Sequence, residues 1–248
     1  MNQYSPGRFF NLPPVVKNLL IINVILFVAT YVVQRFDIDL YQHLAVHSVL
    51  SPDFKPYQLI THMFMHGGFA HIFFNMFALW MFGRVLEDVW GPKRFFVYFF
   101  VTGLGAAFLH LLVNYIEIQQ FMNKMSADMV DEVLNNGADA LRAGKNYIDV
   151  KAAKLNLMVN TPTVGASGAV FGLLLAFGFM FPNAVIYLYF ALPIKAKWFV
   201  IIYGAIELYL GIANHSGDNV AHFAHLGGML FGLIFLLVWR KNRFNRWN

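Results

Sequence analysis

Four residues of this chain have types and spacings suited to acyl transfer, and they fall in three separate hydrophobic runs. Ser167 stands in the tetrad Gly165-Ala166-Ser167-Gly168, which opens one run. His225 stands in a second, followed by Gly228 and Gly232. His71 and Asn75 lie one helical turn apart in a third. A hydroxyl, an imidazole and an amide donor on separate apolar helices point to chemistry inside a bilayer. Polar groups at that depth are costly and are kept for a function.

The elements that must position them are transmembrane helices. Of 248 residues, 58% are hydrophobic and 12% charged, about half the charged fraction of an ordinary soluble domain. A helix needs about 20 mostly apolar residues to cross the hydrocarbon core. Six segments come near that: 15–34, 69–86, 94–115, 167–182, 198–214 and 220–239. The expected fold is an all-α polytopic bundle of six transmembrane helices, with residues 1–248 forming a single membrane domain. Segment 167–182 is short, so that helix is expected to be tilted, buried in the bundle or extended. Residues 184–194 are apolar but bounded by Pro182 and Pro193. They read as an interfacial connection and not a seventh span. The chain has no cysteine, which excludes disulfides, thiolate metal sites and a thiol nucleophile. The N-terminus carries no small-residue cleavage site after a short apolar stretch and does not read as a removable signal. The net charge of +5 calls for no nucleic-acid partner, because membrane proteins gather Lys and Arg in cytoplasmic loops.

Placing both termini in the cytoplasm puts Arg8, Lys17, Arg84, Lys93, Arg94, Lys195, Lys197, Arg240, Lys241, Arg243 and Arg246 inside. Arg35 and Lys55 lie outside, with five more basic residues in an extended outer loop, 116–160, between spans three and four. Long loops follow the charge rule poorly, so the short loops decide. Residues 1–14 then form a cytoplasmic N-terminal segment and 240–248 a basic cytoplasmic tail. Trp90, Trp198 and Trp239 fall near the inner boundary, as interfacial Trp does. Spans two, four and six all run inward, so His71, Asn75, Ser167 and His225 share the outer third of the bundle. With Asn219 at the outer surface, His225 lies roughly 9 Å in.

Each residue also has a plainer reading. Ser in a Gly-rich membrane helix is usually a packing residue. Here Thr161-Pro162-Thr163 precedes the helix, which puts Ser167 in the first turn, beside backbone N–H groups that lack helical partners. Such donors can hold an oxyanion. His222 and His225, three apart, could be metal ligands or hydrogen-bonded core residues, or His225 could be the base for Ser167. Gly228 and Gly232 give its helix a smooth face, matched by Gly168 and Gly172 on span four, so the two helices can approach closely. His71 and Asn75 share one helix side and suit oxyanion donation. A metal site with His62 and His66 is the alternative, but no H-E-x-x-H pattern exists. His62 and His66 are expected to hold the loop before span two through hydrogen bonds. Glu207 is the remaining intramembrane acid: it could orient a base, snorkel or bond within the bundle, but nothing in its spacing ties it to His225, and a Ser-His pair can work without an acid.

These residues resemble the rhomboid family of intramembrane serine proteases over about Tyr57 to Gly232. The resemblance rests on HMFMHGGFAHIFFN, which holds His62, His66, His71 and Asn75, on the GASG tetrad, and on AHLGGMLFG ending at Gly232. It implies Ser167 as nucleophile and His225, not His222, as general base. It implies His71, Asn75 and the Ser167 backbone N–H as oxyanion donors, supported by Gly165, Gly168, Phe171, Gly228 and Gly232. It implies no metal and no cofactor. The expected partners are transmembrane protein substrates, cut within or beside a membrane helix and often after a small residue, together with membrane lipids. The expected place is a bacterial inner membrane, with the site facing outward. Two departures stand out: Tyr57-Gln58 replaces a frequent Trp-Arg, and Phe171 replaces a Tyr that packs on the base.

The insertion 117–157 is longer than the family core requires. Met125, Met129, Val133, Leu134 and Leu141 partly trace a helix face, which suggests an amphipathic helix on the outer surface. Asn135-Asn136-Gly137 and Ala143-Gly144 are expected to break it. It could act as a substrate-docking element or be a solvated loop. The rival to proteolysis is a catalytically inactive rhomboid-like protein that binds transmembrane helices. A transporter is disfavoured, because the polar groups gather at one end and the halves show no repeat.

Overall fold

The computed structural model describes residues 12–188, 191–213 and 220–244. The segment 1–11, Asn219 and the side chains of the basic tail lie outside the described residues. The chain runs α1 (Pro14–Val33), α2 (Leu40–Leu44), α3 (Gln58–Thr61), α4 (Phe69–Ala78), α5 (Arg84–Trp90), α6 (Pro92–Met122), α7 (Ala127–Arg142) and α8 (Val150–Asn160). It continues with α9 (Ser167–Met180), β1 (Val185–Leu188), β2 (Leu192–Lys195), α10 (Ala196–Ala213) and α11 (His222–Phe244). Five stretches are long and apolar enough to cross a membrane: Pro14–Phe36, Phe69–Trp90, Pro92–Met122, Ala196–Ala213 and His222–Trp239. The protein is a multi-pass integral membrane protein built as a polytopic helical bundle.

Helix α9 has 14 residues, about 21 Å of rise. It is short because it is central. Residues Gly168 to Leu174, with Ala176 and Gly178, are buried, and α9 packs against α6, α10 and α11. Peripheral helices show the opposite pattern. Ile21, Ile22, Val24, Ile25 and Val28 of α1 are exposed, as are Ile201, Ile202, Ile206, Leu208 and Ile212 of α10. An aliphatic outer surface is what lipid solvates. Polar residues inside α1 bond within their own helix: Asn23 donates to the Leu19 carbonyl and Thr30 to that of Leu26, as hydrocarbon demands.

The ends of three helices set a common direction. Trp90 closes α5, and its Nε1–H donates to Met180 Sδ at the end of α9 at 3.0 Å. Its ring meets Trp239 of α11 at 5.7 Å. The starts of α4, α9 and α11 therefore gather at the opposite end of the bundle. Between α4 and α5 the helix widens into a π segment, Leu79–Gly83, so the span continues with a local shift in register. In the apolar stretch after α9, β1 pairs antiparallel with β2, Val185 opposite Lys195, in keeping with a connection and not a seventh span.

The insertion departs from expectation. It holds two helices, α7 and α8, where the sequence suggested one short amphipathic helix with two breaks. Helix α7 runs unbroken through Asn135-Asn136-Gly137 because Gly137 faces α8: a Cβ there would lie 2.4 Å from Asn156 Oδ1. Only Ala143-Gly144 ends a helix, Gly144 taking φ +68°. The apolar face of α7 packs against protein. Val133 packs with Ile118 of α6 and with Ala152, Leu155 and Val159 of α8. The hairpin is tied to the loop before α3 by Ser51 Oγ–H donating to Asn160 Oδ1 at 2.8 Å and by the Arg142–Asp53 ion pair.

That loop is organised by Gln58, which is fully buried. Its Oε1 accepts from the N–H groups of Lys55 and His47, while its Nε2 donates to the carbonyls of Asp53 and His43. At the other end of the bundle, Glu87 of α5 accepts from the N–H groups of Val15 and Val16 at 2.9 and 2.8 Å, capping α1 from a distance. Replacing Glu87 with Ala leaves two buried donors unpaired. This should cost about 1–3 kcal/mol, read as a lower unfolding midpoint in detergent.

Candidate active site

Ser167 is the first residue of α9, and the strand leading to it is fixed on three sides. Val46 and Thr163 exchange backbone hydrogen bonds at 3.0 and 2.8 Å. The Gly165 N–H donates to the His62 carbonyl at 2.9 Å. His110 Nε2 lies 2.9 Å from Thr163 Oγ1. Starting the helix at Ser167 leaves first-turn N–H groups without helical acceptors beside the hydroxyl.

His225 Nε2 lies 2.9 Å from Ser167 Oγ. Glycines make this approach possible. A Cβ on Gly228 would fall 1.8 Å from the Gly168 carbonyl oxygen, and one on Gly168 would fall 2.3 Å from Ala106 Cβ. Gly227 and Gly232 likewise admit α6, Gly232 leaving space for the Tyr98 hydroxyl. Phe171 stacks on the His225 ring, 4.0 Å between centroids and 7° between planes. The ring at this position thus lies flat on the imidazole without a hydroxyl.

His71 reaches the same place from α4. Gly165 has φ +129°, and a Cβ there would lie 2.8 Å from His71 Nε2 and 3.5 Å from Ser167 Oγ. Only a glycine allows both the backbone turn and the ring. The Gly67 N–H points at His71 Nδ1 at 3.3 Å. A neutral imidazole accepting at Nδ1 carries its proton on Nε2, which faces the serine. Asn75 is buried, and its Nδ2 donates to the His71 carbonyl at 2.9 Å. That bond uses one of two amide hydrogens. Ser167, His225, His71, Asn75 and Phe171 all line one cavity of about 820 Å³.

One set of contacts in this cavity escaped the sequence reading. Glu207 of α10 lies with Oε2 2.9 Å from His225 Nδ1 and 2.6 Å from His222 Nδ1. Of the readings open for Glu207, this contact fits orienting a base and bonding within the bundle. No spacing could reveal the contact, since it joins two helices; the only signal was an acid in an apolar run. The donor atoms of this carboxylate and the two imidazoles lie within 4.8 Å of one another, with both Nδ1 atoms directed at the one carboxylate oxygen.

His62 and His66 behave differently from each other. His62 Nδ1 lies 2.8 Å from the Gln58 carbonyl, so its ring does hold the loop. The His66 ring makes no hydrogen bond among the described residues; it packs edge-on against His71 at 5.0 Å. Burial pushes both down to about 4.

The Rhomboid domain family matches residues 53–242. The chain belongs to the rhomboid family. Its relatives include "Rhomboid protein 1, mitochondrial" of Saccharomyces cerevisiae, 26% identical over 178 residues, which are 71% of this chain and 40% of that protein. "RHOMBOID-like protein 12, mitochondrial" of Arabidopsis thaliana is 28% identical over 189 residues, 75% of this chain and 47% of that one. "Rhomboid-like protein 11, chloroplastic" of the same plant is 26% identical over 208 residues, 76% and 53%. The chain thus spans about half the length, or less, of the curated relatives it matches. These relatives carry organellar names, so they lend no support to a bacterial inner membrane in particular. Membership in this rhomboid family points to a serine-protease kind of enzyme or to a rhomboid-like relative without activity.

Two outcomes test this architecture. Gly228→Ala should lower stability by about 1–3 kcal/mol, because the new methyl meets backbone, as measured by thermal unfolding in detergent. His62 and His66 stay neutral when folded but take up protons near pH 6.5 when unfolded. Their contribution is fully present above pH 6.5 and is lost as pH falls towards 4. The unfolding midpoint should drop across that window, and less steeply in His62→Gln.

Proposed function

We propose that this rhomboid is an active intramembrane serine endopeptidase that cuts transmembrane or juxtamembrane segments of other proteins. The observation that carries the reading is the 2.9 Å approach of Ser167 Oγ to His225 Nε2 inside a cavity of a membrane bundle. Ser167 attacks the scissile carbonyl and His225 takes its proton. The oxyanion is held by His71 Nε2–H, the free Asn75 amide hydrogen and the Ser167 backbone N–H. His225 then gives its proton to the leaving amine. Water hydrolyses the acyl-enzyme and regenerates the hydroxyl.

The cavity suits such a substrate. Its walls carry Phe74 and Ala78 on the α4 side and Phe199, Tyr203 and Ile206 on α10, an apolar passage open to a lipid-embedded chain. A helix hides its carbonyls in hydrogen bonds, so the substrate must unwind locally before Ser167 can reach one. The basic residues of the short loops support a reading with both termini in the cytoplasm, the site on the outer side and residues 1–248 as one membrane domain.

The rival is an inactive relative that only binds transmembrane helices. A fluorophosphonate probe separates the two: specific labelling at Ser167 marks an activated serine, and no labelling of folded protein refutes the protease. Ser167→Ala should abolish cleavage of a transmembrane substrate while the protein still folds in detergent. Asn75→Ala should lower turnover by about 10- to 10³-fold, as loss of one oxyanion donor does elsewhere.

A further inference from the structure

We propose that Glu207 is a positioning acid that makes this site a carboxylate–imidazole–hydroxyl relay instead of a two-residue pair. The proposal rests on the reading of Ser167 as nucleophile and His225 as base. Glu207 Oε2, His225 Nδ1, His225 Nε2 and Ser167 Oγ follow one another with gaps of 2.9 Å on both sides of the ring. Phe171, stacked on the imidazole, fixes the plane of that ring but treats its two nitrogens alike. Glu207 tells them apart.

The reason is proton bookkeeping. A neutral imidazole carries one N–H, and an ionised carboxylate can only accept. The nitrogen facing Glu207 must therefore be the protonated one. Nε2 is left with a lone pair aimed at the Ser167 hydroxyl, which is the tautomer a general base needs. When Ser167 attacks, its proton moves to Nε2 and the ring becomes a cation. The carboxylate stays ionised and stabilises that cation until the proton passes to the leaving amine.

A purely structural tie between α10 and α11 explains less. Glu207 is 4% exposed on a helix that otherwise carries exposed apolar residues such as Ile201, Ile202, Leu208 and Ile212. An ionised side chain there is costly, and an uncharged amide would bridge the helices at lower cost. His222, one turn before His225, donates to the same oxygen at 2.6 Å and so holds the Glu207 rotamer in place.

The test uses the full chain in detergent with a transmembrane peptide substrate. Glu207→Gln should lower kcat by about 10²- to 10⁴-fold with KM within about threefold, because its amide can offer a donor to Nδ1 and favour the wrong tautomer. Glu207→Asp, still acceptor-only, should recover at least about tenfold over Gln. In a His225→Ala background, Glu207→Gln should cause no further loss of fluorophosphonate labelling, since residues acting as one unit are not additive. A Glu207→Gln enzyme that keeps kcat within about threefold overturns the proposal. So does an equal further loss without His225, which marks a structural role. Should Glu207→Gln fail to fold, kcat of Glu207→Ala decides: a drop at unchanged KM that Glu207→Asp partly restores supports the relay, and wild-type turnover of Glu207→Ala overturns it. A wild type that neither cleaves nor labels at Ser167 overturns the protease reading, and this proposal with it.

Discussion

The backbone contact between α9 and α11 is the constraint on which the site depends. Two membrane helices with ordinary side chains keep their axes 8–10 Å apart. That spacing would exclude the backbone contact that sets the register of Ser167 against His225 here. Here Gly228 has no Cβ to meet the Gly168 carbonyl, and Gly168 has none to meet Ala106. In lipid there is no hydrophobic force between helices, so van der Waals contact of this kind is what holds them. The same absence of side chains that binds the bundle brings the hydroxyl to the imidazole.

The polar end of the bundle obeys a second constraint. Irregular backbone within a membrane protein must find internal partners. The segment before α9 finds them in Val46 and His62, and the loop before α3 finds them in Gln58. Where the family resemblance implied a frequent Trp-Arg, a neutral amide with two acceptor and two donor bonds organises the loop. This scaffold fixes where α9 starts, and with it the first-turn N–H groups beside Ser167.

Much of this was legible in the sequence. The apolar runs, the GASG tetrad and the order of His71, Ser167 and His225 placed the helices and brought the right groups to one end, because local spacing and span direction carry that information. The pairing of Glu207 with His225 was not legible. It depends on how α10 is rotated against α11, which no periodicity along either helix encodes. The hairpin of α7 and α8 was hidden for another reason. Asn135-Asn136-Gly137 has the composition of a turn, yet Gly137 serves as a crossing point for Asn156, and tertiary packing overrides local propensity. His66 looked like a loop fastener by analogy with His62, but only one of the two rings meets a carbonyl.

The π segment at Leu79–Gly83 has a consequence for the whole span. A turn that holds an additional residue rotates everything after it by roughly 100° relative to a regular helix. Above it, His71 and Asn75 look into the cavity. Below it, Glu87 looks at the first turn of α1. One rod thus serves two clients on different azimuths, and the widened turn acts as the gearing between the reactive end and the anchored end.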